Sequence, residues 1–110
     1  MNAMKNKVQL IGNVGNDPEI KTFDGGKKVA NLTIATNDSY KNDKGEKVEQ
    51  TEWHKVVAWG KTAEIIEKYV TKGLQIAIEG KLTHRSYDDK NGEKRYITEV
   101  VVNDVLLLGK

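Results

Sequence analysis

The segment Thr51-Glu52-Trp53-His54-Lys55-Val56-Val57-Ala58-Trp59 holds the residue types and spacing that point most directly to chemistry. In an extended chain, side chains alternate between faces. Trp53, Lys55, Val57 and Trp59 therefore share one face, and His54, Val56 and Ala58 the other. Successive positions on one face lie about 7 Å apart, which puts Trp53 and Trp59 roughly 20 Å apart with an ammonium group between them. Flat aromatic faces stack unpaired bases of any identity, at about 1–3 kcal/mol per base, while cations track the phosphates. The competing reading makes both indoles core residues. Lys55 argues against it, because an unpaired buried ammonium is costly. Tyr40 and Tyr87 border two polar loops and extend the aromatic set. Tyr40 shares the parity of Ala30, Leu32 and Ile34, so alternation points it inward unless a bulge or the strand end redirects it. Tyr69 and Tyr96 are assigned to core or mixed packing.

No other group of residues suggests a reaction. Neither His54 nor His84 has a second ligand type at metal-binding spacing, and no phosphate-cradling or nucleophile-elbow pattern occurs. Cysteine is absent, which excludes a thiolate zinc site and a cysteine nucleophile. Asp88-Asp89 are neighbours in a polar turn and read as solvated residues. The expectation is a binding protein, not an enzyme, with no metal and no cofactor. Lysine and arginine total 18 against 16 acidic residues, for a net charge of +2. A total so balanced does not advertise a nucleic-acid binder, so any such site must come from where the basic residues sit. No apolar run approaches the ~18 residues of a membrane span. The N-terminal MNAMKNK lacks the apolar core of a signal peptide, so the cytoplasm is the expected location.

The elements that position these residues are mostly strands. Val, Ile and Thr make up about a quarter of the 110 residues, a bias that suits pleated sheet. The chain reads as one domain, residues 1–110. A first strand spans Lys5 to Val14, with Val8, Leu10, Gly12 and Val14 on one parity. Asn16-Asp17-Pro18 breaks it, and Asp24-Gly25-Gly26 forms a turn. A second strand covers Val29 to Asn37. A polar loop from Tyr40 to Lys47 leads to a third strand, Val48 to Trp59. Lys61 to Lys72 is the one convincing helix, with Ala63, Ile66 and Val70 on its apolar face. Glu64 falls in its first turn, Lys72 in its last, and Gly73 stops it. A fourth strand runs from Leu74 to Arg85. Asn91-Gly92 signals a hairpin, and a fifth strand runs from Arg95 to Leu108, bent near Asn103-Asp104. An all-β chain of five strands with one helix between the third and fourth has the order of the OB-fold, a small Greek-key barrel.

Motifs spread along nearly the whole chain resemble the bacterial and mitochondrial single-stranded-DNA-binding protein family. They are Asn6-Lys7-Val8, Gly12-Asn13, Asp17-Pro18-Glu19, Val29-Ala30-Asn31, Ala35-Thr36, Gln50-Thr51-Glu52-Trp53-His54, Gly60-Lys61, Lys72-Gly73, Ile78-Glu79-Gly80 and Tyr96-Ile97-Thr98-Glu99-Val100. The resemblance implies a homotetramer of OB-folds that binds and protects single-stranded DNA without sequence preference in replication, recombination and repair. It implies stacking by Tyr40, Trp53, Trp59 and Tyr87. It implies phosphate contacts by Lys55, Lys61, Lys72, Arg85 and Arg95. His54 maps to a subunit contact, and the strand carrying Lys7, Val8 and Leu10 to a pairing between subunits. A cytoplasmic, nucleoid-associated protein of a bacterium is expected. The chain departs from well-studied relatives at Thr71, Thr83 and Ser86, where those often carry Arg or Lys, and at Tyr40 and Tyr87, where they carry tryptophan. It ends at Leu108-Gly109-Lys110 without the acidic tip that recruits replication and repair proteins in many relatives, so such partners are not expected of these residues. The alternatives are a tail-less primosome-type accessory protein, an RNA-binding OB module and an OB-fold nuclease.

Overall fold

The computed structural model describes residues 5–109. Met1–Met4 and Lys110, which the one-domain reading includes, lie outside the described residues. The elements are β1 (Val8–Val14), β2 (Glu19–Thr22), β3 (Lys28–Lys41), β4 (Lys47–Trp59), α1 (Gly60–Tyr69), β5 (Gln75–Asp88) and β6 (Lys94–Gly109). Five of the six strands close into a barrel. β1 pairs antiparallel with β5 over Val8–Asn13 and with β3 at Asn13 and Val14. β3 pairs with β4, and β5 with β6, as long antiparallel hairpins. A short parallel contact, Val56 to Val100 and Val57 to Val101, completes the ring. This is the OB-fold that the strand order predicts.

The alternation read from the sequence builds the core. Val14, Ala30, Leu32, Ile34, Val56, Ala58, Ile76, Ile78, Val100 and Val102 point inward and are buried. Helix α1 closes one end of the barrel with Ala63 and Ile66, and Val70 just beyond the helix joins them. Burial of such aliphatic side chains stabilises the fold by about 1.5–3 kcal/mol each. At Gly12 a Cβ would overlap the Ala35 carbonyl oxygen, so this glycine lets β1 cross tightly over β3. The expected bend near Asn103 is a bulge. Glu79 pairs with Asp104 and Gly80 with Val102, leaving Asn103 as the extra residue.

Several elements differ from their sequence reading. After the break at Asn16-Asp17-Pro18 the chain returns as β2, which pairs with β3 from Glu19–Asn31 to Thr22–Lys28. The helix begins at Gly60 and stops at Tyr69, because Val70 turns extended. Glu64 is therefore past the first turn, and Lys68, not Lys72, is the basic residue of the last turn. Tyr40 is not in a loop. β3 and β4 stay paired out to Lys41–Lys47, and only residues 42–46 turn. β5 likewise runs to Asp88, and residues 89–93 form its turn with β6. Two hairpin arms thus project beyond the barrel. Tyr69 and Tyr96, expected to pack, are exposed, Tyr96 at 78%. Tyr96 lies on an arm that no second layer covers. Tyr69 sits off the Ala63–Ile66 stripe with the Lys68 ammonium 5.8 Å from its ring.

Candidate nucleic-acid interface

The outer face of the β3–β4 ribbon carries the aromatic stripe. Val29 pairs with Trp59, Asn31 with Val57, Thr33 with Lys55 and Ala35 with Trp53. The partners of these residues on the opposite parity fill the core, so the stripe must face outward. Trp53 is 63% exposed and Trp59 43%. Among the described residues no carboxylate lies within salt-bridge distance of Lys55. The two indoles and the free ammonium therefore reach solvent together.

Val57, in the middle of the stripe, is only 6% exposed. The β5–β6 arm explains this. Thr83 pairs with Glu99, Arg85 with Ile97 and Tyr87 with Arg95, placing these residues on one face of the arm. Arg85, Ile97 and Glu99 lean over Val57 opposite Asn16, Asn31, Thr33 and Lys55 and enclose a cleft of about 270 Å³. A second cleft continues past Asn31 and Val57 to Lys21, Phe23, Val29 and Trp59. The clefts share Asn31, Val57, Arg85 and Glu99, so they form one trough with Val57 as its floor. A strand laid along it meets apolar surface below, the Trp59 indole at one end and the cations Lys55 and Arg85 beside it.

Hydrogen bonds hold the walls. Arg85 Nε donates to Glu99 Oε1 at 2.7 Å. That bond and the Glu99 charge raise the Arg85 guanidinium further above its ordinary value. Glu99 is 7% exposed, whereas Arg85 keeps more than half its side chain in solvent. Glu99 thereby anchors one edge of the guanidinium and leaves the rest free for an anion. Asn16 Oδ1 accepts from the Thr33 backbone N–H and hydroxyl, at 2.9 and 2.7 Å. This pins the 15–17 segment beside β3, where Trp53 lies against Gly15 so closely that a Cβ there would overlap ring atom Cζ3.

The remaining predicted residues are distributed more widely. Tyr87 is half exposed on the β5–β6 arm, and Tyr40 is exposed on the β3–β4 arm. The β3–β4 register has no shift, so no bulge redirects Tyr40. It keeps the parity of Leu32 and Ile34, but on an arm extending past the barrel that parity is open to solvent. Arg95 is tied to its own hairpin. Its Nε donates to Asp89 Oδ2 at 2.9 Å and its Nη2 lies 3.4 Å from Glu93. Asp89 also accepts from the backbone N–H groups of Asn91 and Glu93. The Arg95 bond first, and these backbone bonds with it, hold the Asp89 carboxyl below its ordinary value. Lys61 follows Trp59 on the first turn of α1, and the Lys72 backbone N–H donates to Asp17 Oδ1 at 3.0 Å. Neither lysine lines the trough.

The residues expected at subunit contacts lie elsewhere. Lys7 reaches Glu79 at 3.5 Å. Val8 and Leu10 are half-buried and pair with Gly80 and Ile78 of β5. Along Val8–Gly12 the opposite edge of β1 has no strand partner among the described residues. His54 is half-buried, with Nε2 2.9 Å from Thr36 Oγ1. It lines a further cleft with Trp53, Leu82, Tyr96 and Thr98, which adjoins the trough through the shared Lys55, Ile97 and Glu99.

Sequence reasoning missed Phe23, Lys27, Asn16 and Glu99. Phe23 stacks near-parallel with Trp59, ring centroids 6.2 Å apart and planes inclined by 22°, and the Lys27 ammonium lies 5.5 Å from the same indole. The available signal was the chain's single phenylalanine immediately before the Asp24-Gly25-Gly26 turn. Among the described residues no cluster of three metal-ligating side chains occurs. No helix among them is long and apolar enough to cross a membrane.

Residues 5–108 match the model of the single-strand binding protein family. The chain is 50% identical over 105 residues to single-stranded DNA-binding protein 1 of Chlorobaculum tepidum, covering 94% of this chain and 65% of that protein. It is 46% identical over 109 residues to the Xylella fastidiosa protein of the same name, covering 98% and 80%. The chain therefore spans about two thirds of one relative and four fifths of the other. Among solved structures, the Plasmodium falciparum SSB complex with ssDNA superposes with a TM-score of 0.84 at 34% identity, covering 98% of this chain and 99% of that one. A deletion mutant of the Thermus aquaticus single-stranded DNA binding protein gives 0.80 at 30%, covering 94% and 50%. By sequence over nearly its whole length, and by fold, the chain belongs to the single-strand binding protein family.

Proposed function

We propose that this chain binds single-stranded DNA without sequence preference and protects it during replication, recombination and repair. The observation that carries this reading is the outward stripe of exposed Trp53 and Trp59 with the unpaired Lys55 ammonium between them, Trp59 ending the trough and Trp53 lining the cleft that adjoins it. Indole faces accept any base, and duplex DNA hides its base faces within the stack, so such a surface selects single strands. Lys55 and the free edge of Arg85 meet phosphates in the trough. Lys61, Lys72 and Arg95 add basic surface around it, and Tyr40 and Tyr87 extend stacking onto the arms. The protein works by binding rather than catalysis.

The working assembly in this reading is a homotetramer. The β1 edge at Val8 and Leu10, beside Lys7 and without a strand partner among the described residues, supports strand pairing between copies, since an open edge is a template for a second chain. His54, half-buried and on the face of β4 opposite Trp53 and Lys55, is proposed as a second contact. Several copies then hold one strand at high effective concentration. The compartment proposed is the bacterial cytoplasm, in association with the nucleoid. The test is titration with oligo-dT between 50 and 300 mM salt, with light scattering on the same samples. The expected result is quenched tryptophan emission, a log–log slope near −0.7 per phosphate neutralised and the mass of four chains. Salt-independent affinity, or unchanged emission at saturation, overturns the DNA-binding reading. A two-chain mass favours the primosome-type alternative.

A further inference from the structure

We propose that the β2–β3 turn extends the site, in which Phe23 stacks a nucleobase beyond Trp59 and Lys27 binds the phosphate next to it. This rests on the DNA-binding reading above and extends it to residues 21–27. Three independent observations carry it. First, the sole phenylalanine of the chain is 49% exposed, although it is a large apolar ring with no polar group to compensate its exposure. Second, its ring is set near-parallel to Trp59, 22° between planes, so the two rings form a stepped ledge. Third, Lys21, Phe23 and Trp59 line the same end of the trough, continuous with its floor at Val57.

The turn is built to hold this position. The Phe23 N–H donates to the Lys27 carbonyl at 2.7 Å and the Gly26 N–H to the Phe23 carbonyl at 3.0 Å. Gly25 and Gly26 take φ of 91° and 82°, a region closed to most side chains, and allow the tight return. The β2–β3 ladder leads directly into it, from Glu19–Asn31 to Thr22–Lys28. Lys27 lies over the Trp59 ring. A base arriving on the ledge displaces that ammonium toward the phosphate of the same nucleotide, so the cation exchanges one partner for a stronger one. The stacking path then runs from Trp53 past Lys55 and Trp59 to Phe23.

The test uses the full chain and oligo-dT. Phe23→Ala is expected to weaken binding about 5- to 150-fold, the range of one base–aromatic stack, and Phe23→Trp to restore it. Lys27→Ala is expected to reduce the salt slope by about 0.7. If Phe23 only props Trp59, then Phe23→Ala costs nothing further in a Trp59→Ala background. The proposal requires a further loss there. Photocrosslinking with 5-iodo-deoxyuridine oligomers should yield an adduct on the peptide holding Phe23. Wild-type affinity for Phe23→Ala, or additional loss absent in the Trp59→Ala background, overturns the proposal while leaving DNA binding itself in place. Failure of the wild-type chain to bind oligo-dT overturns both.

Discussion

Replacing Trp53 by alanine separates stacking from folding, because the structure sets the two costs apart. Trp53 is 63% exposed, so only about a third of its surface is buried. Taking about 250 Å² for the side chain, this is about 90 Å², or about 2 kcal/mol of stability as an upper bound. None of the side chains that fill the barrel is removed, so Trp53→Ala stays folded at 25 °C. Against single-stranded DNA the loss is one base–aromatic stack, about 1–3 kcal/mol, or roughly 5- to 150-fold in affinity per engaged chain. A short oligo-dT within one chain's reach keeps the effect from multiplying across copies. The assay is fluorescence anisotropy of a labelled oligomer at several salt concentrations, with thermal melting in parallel. Indole carries no charge, so the salt slope should match wild type while the affinity at every salt falls by one constant factor. Lys55→Ala should do the reverse, flattening the slope by about 0.7. Wild-type affinity for Trp53→Ala, with its fold intact, would refute the assignment of the stripe as a stacking surface.

Gly15→Ala tests how the indole is supported. The added Cβ would overlap Trp53 Cζ3 and come within 2.8 Å of Thr33 Oγ1, so the ring must swing away. Weaker oligo-dT binding and altered tryptophan emission are expected, with about 1–3 kcal/mol of lost stability from overpacking; an unchanged emission spectrum and affinity would contradict this. The β5–β6 turn should depend on acid. The Asp89 carboxyl is held below its ordinary value of 3.8, first by Arg95 and then by the backbone N–H groups of Glu93 and Asn91. Its stabilisation is therefore complete above that value and is lost as the pH falls through the lower, folded-state value. Amide exchange at Asn91 and Glu93 should quicken in that acidic window, and Asp89→Asn should abolish the pH dependence.

The alternation of Ala30, Leu32 and Ile34, and of Val56 and Ala58, is a local property of an extended chain, so the core face of β3 and β4 was legible residue by residue. The outward set of Trp53, Lys55 and Trp59 was legible for the same reason, as were the turns at Gly25-Gly26 and Asn91-Gly92, whose backbone demands are met by nearest neighbours. The helix was legible through Ala63 and Ile66, though its end was not, because Val70 leaves the helix to fill the barrel. Tyr96 and Tyr69 were misplaced for a related reason: an apolar ring is buried only where a second layer exists, and hairpin arms and helix flanks have none.

Sequence alone determined five of the six strands, the inward and outward faces of β3 and β4 along the barrel and the aromatic stripe, because each rests on spacing within one segment. Only the tertiary structure decided that Val57 is the floor of a trough, that Glu99 anchors Arg85 across it, and that Phe23 returns beside Trp59. Those contacts join segments far apart in the chain. Their geometry comes from barrel closure, through the single short β4–β6 contact and the crossing of β1 over β3, which no local periodicity encodes.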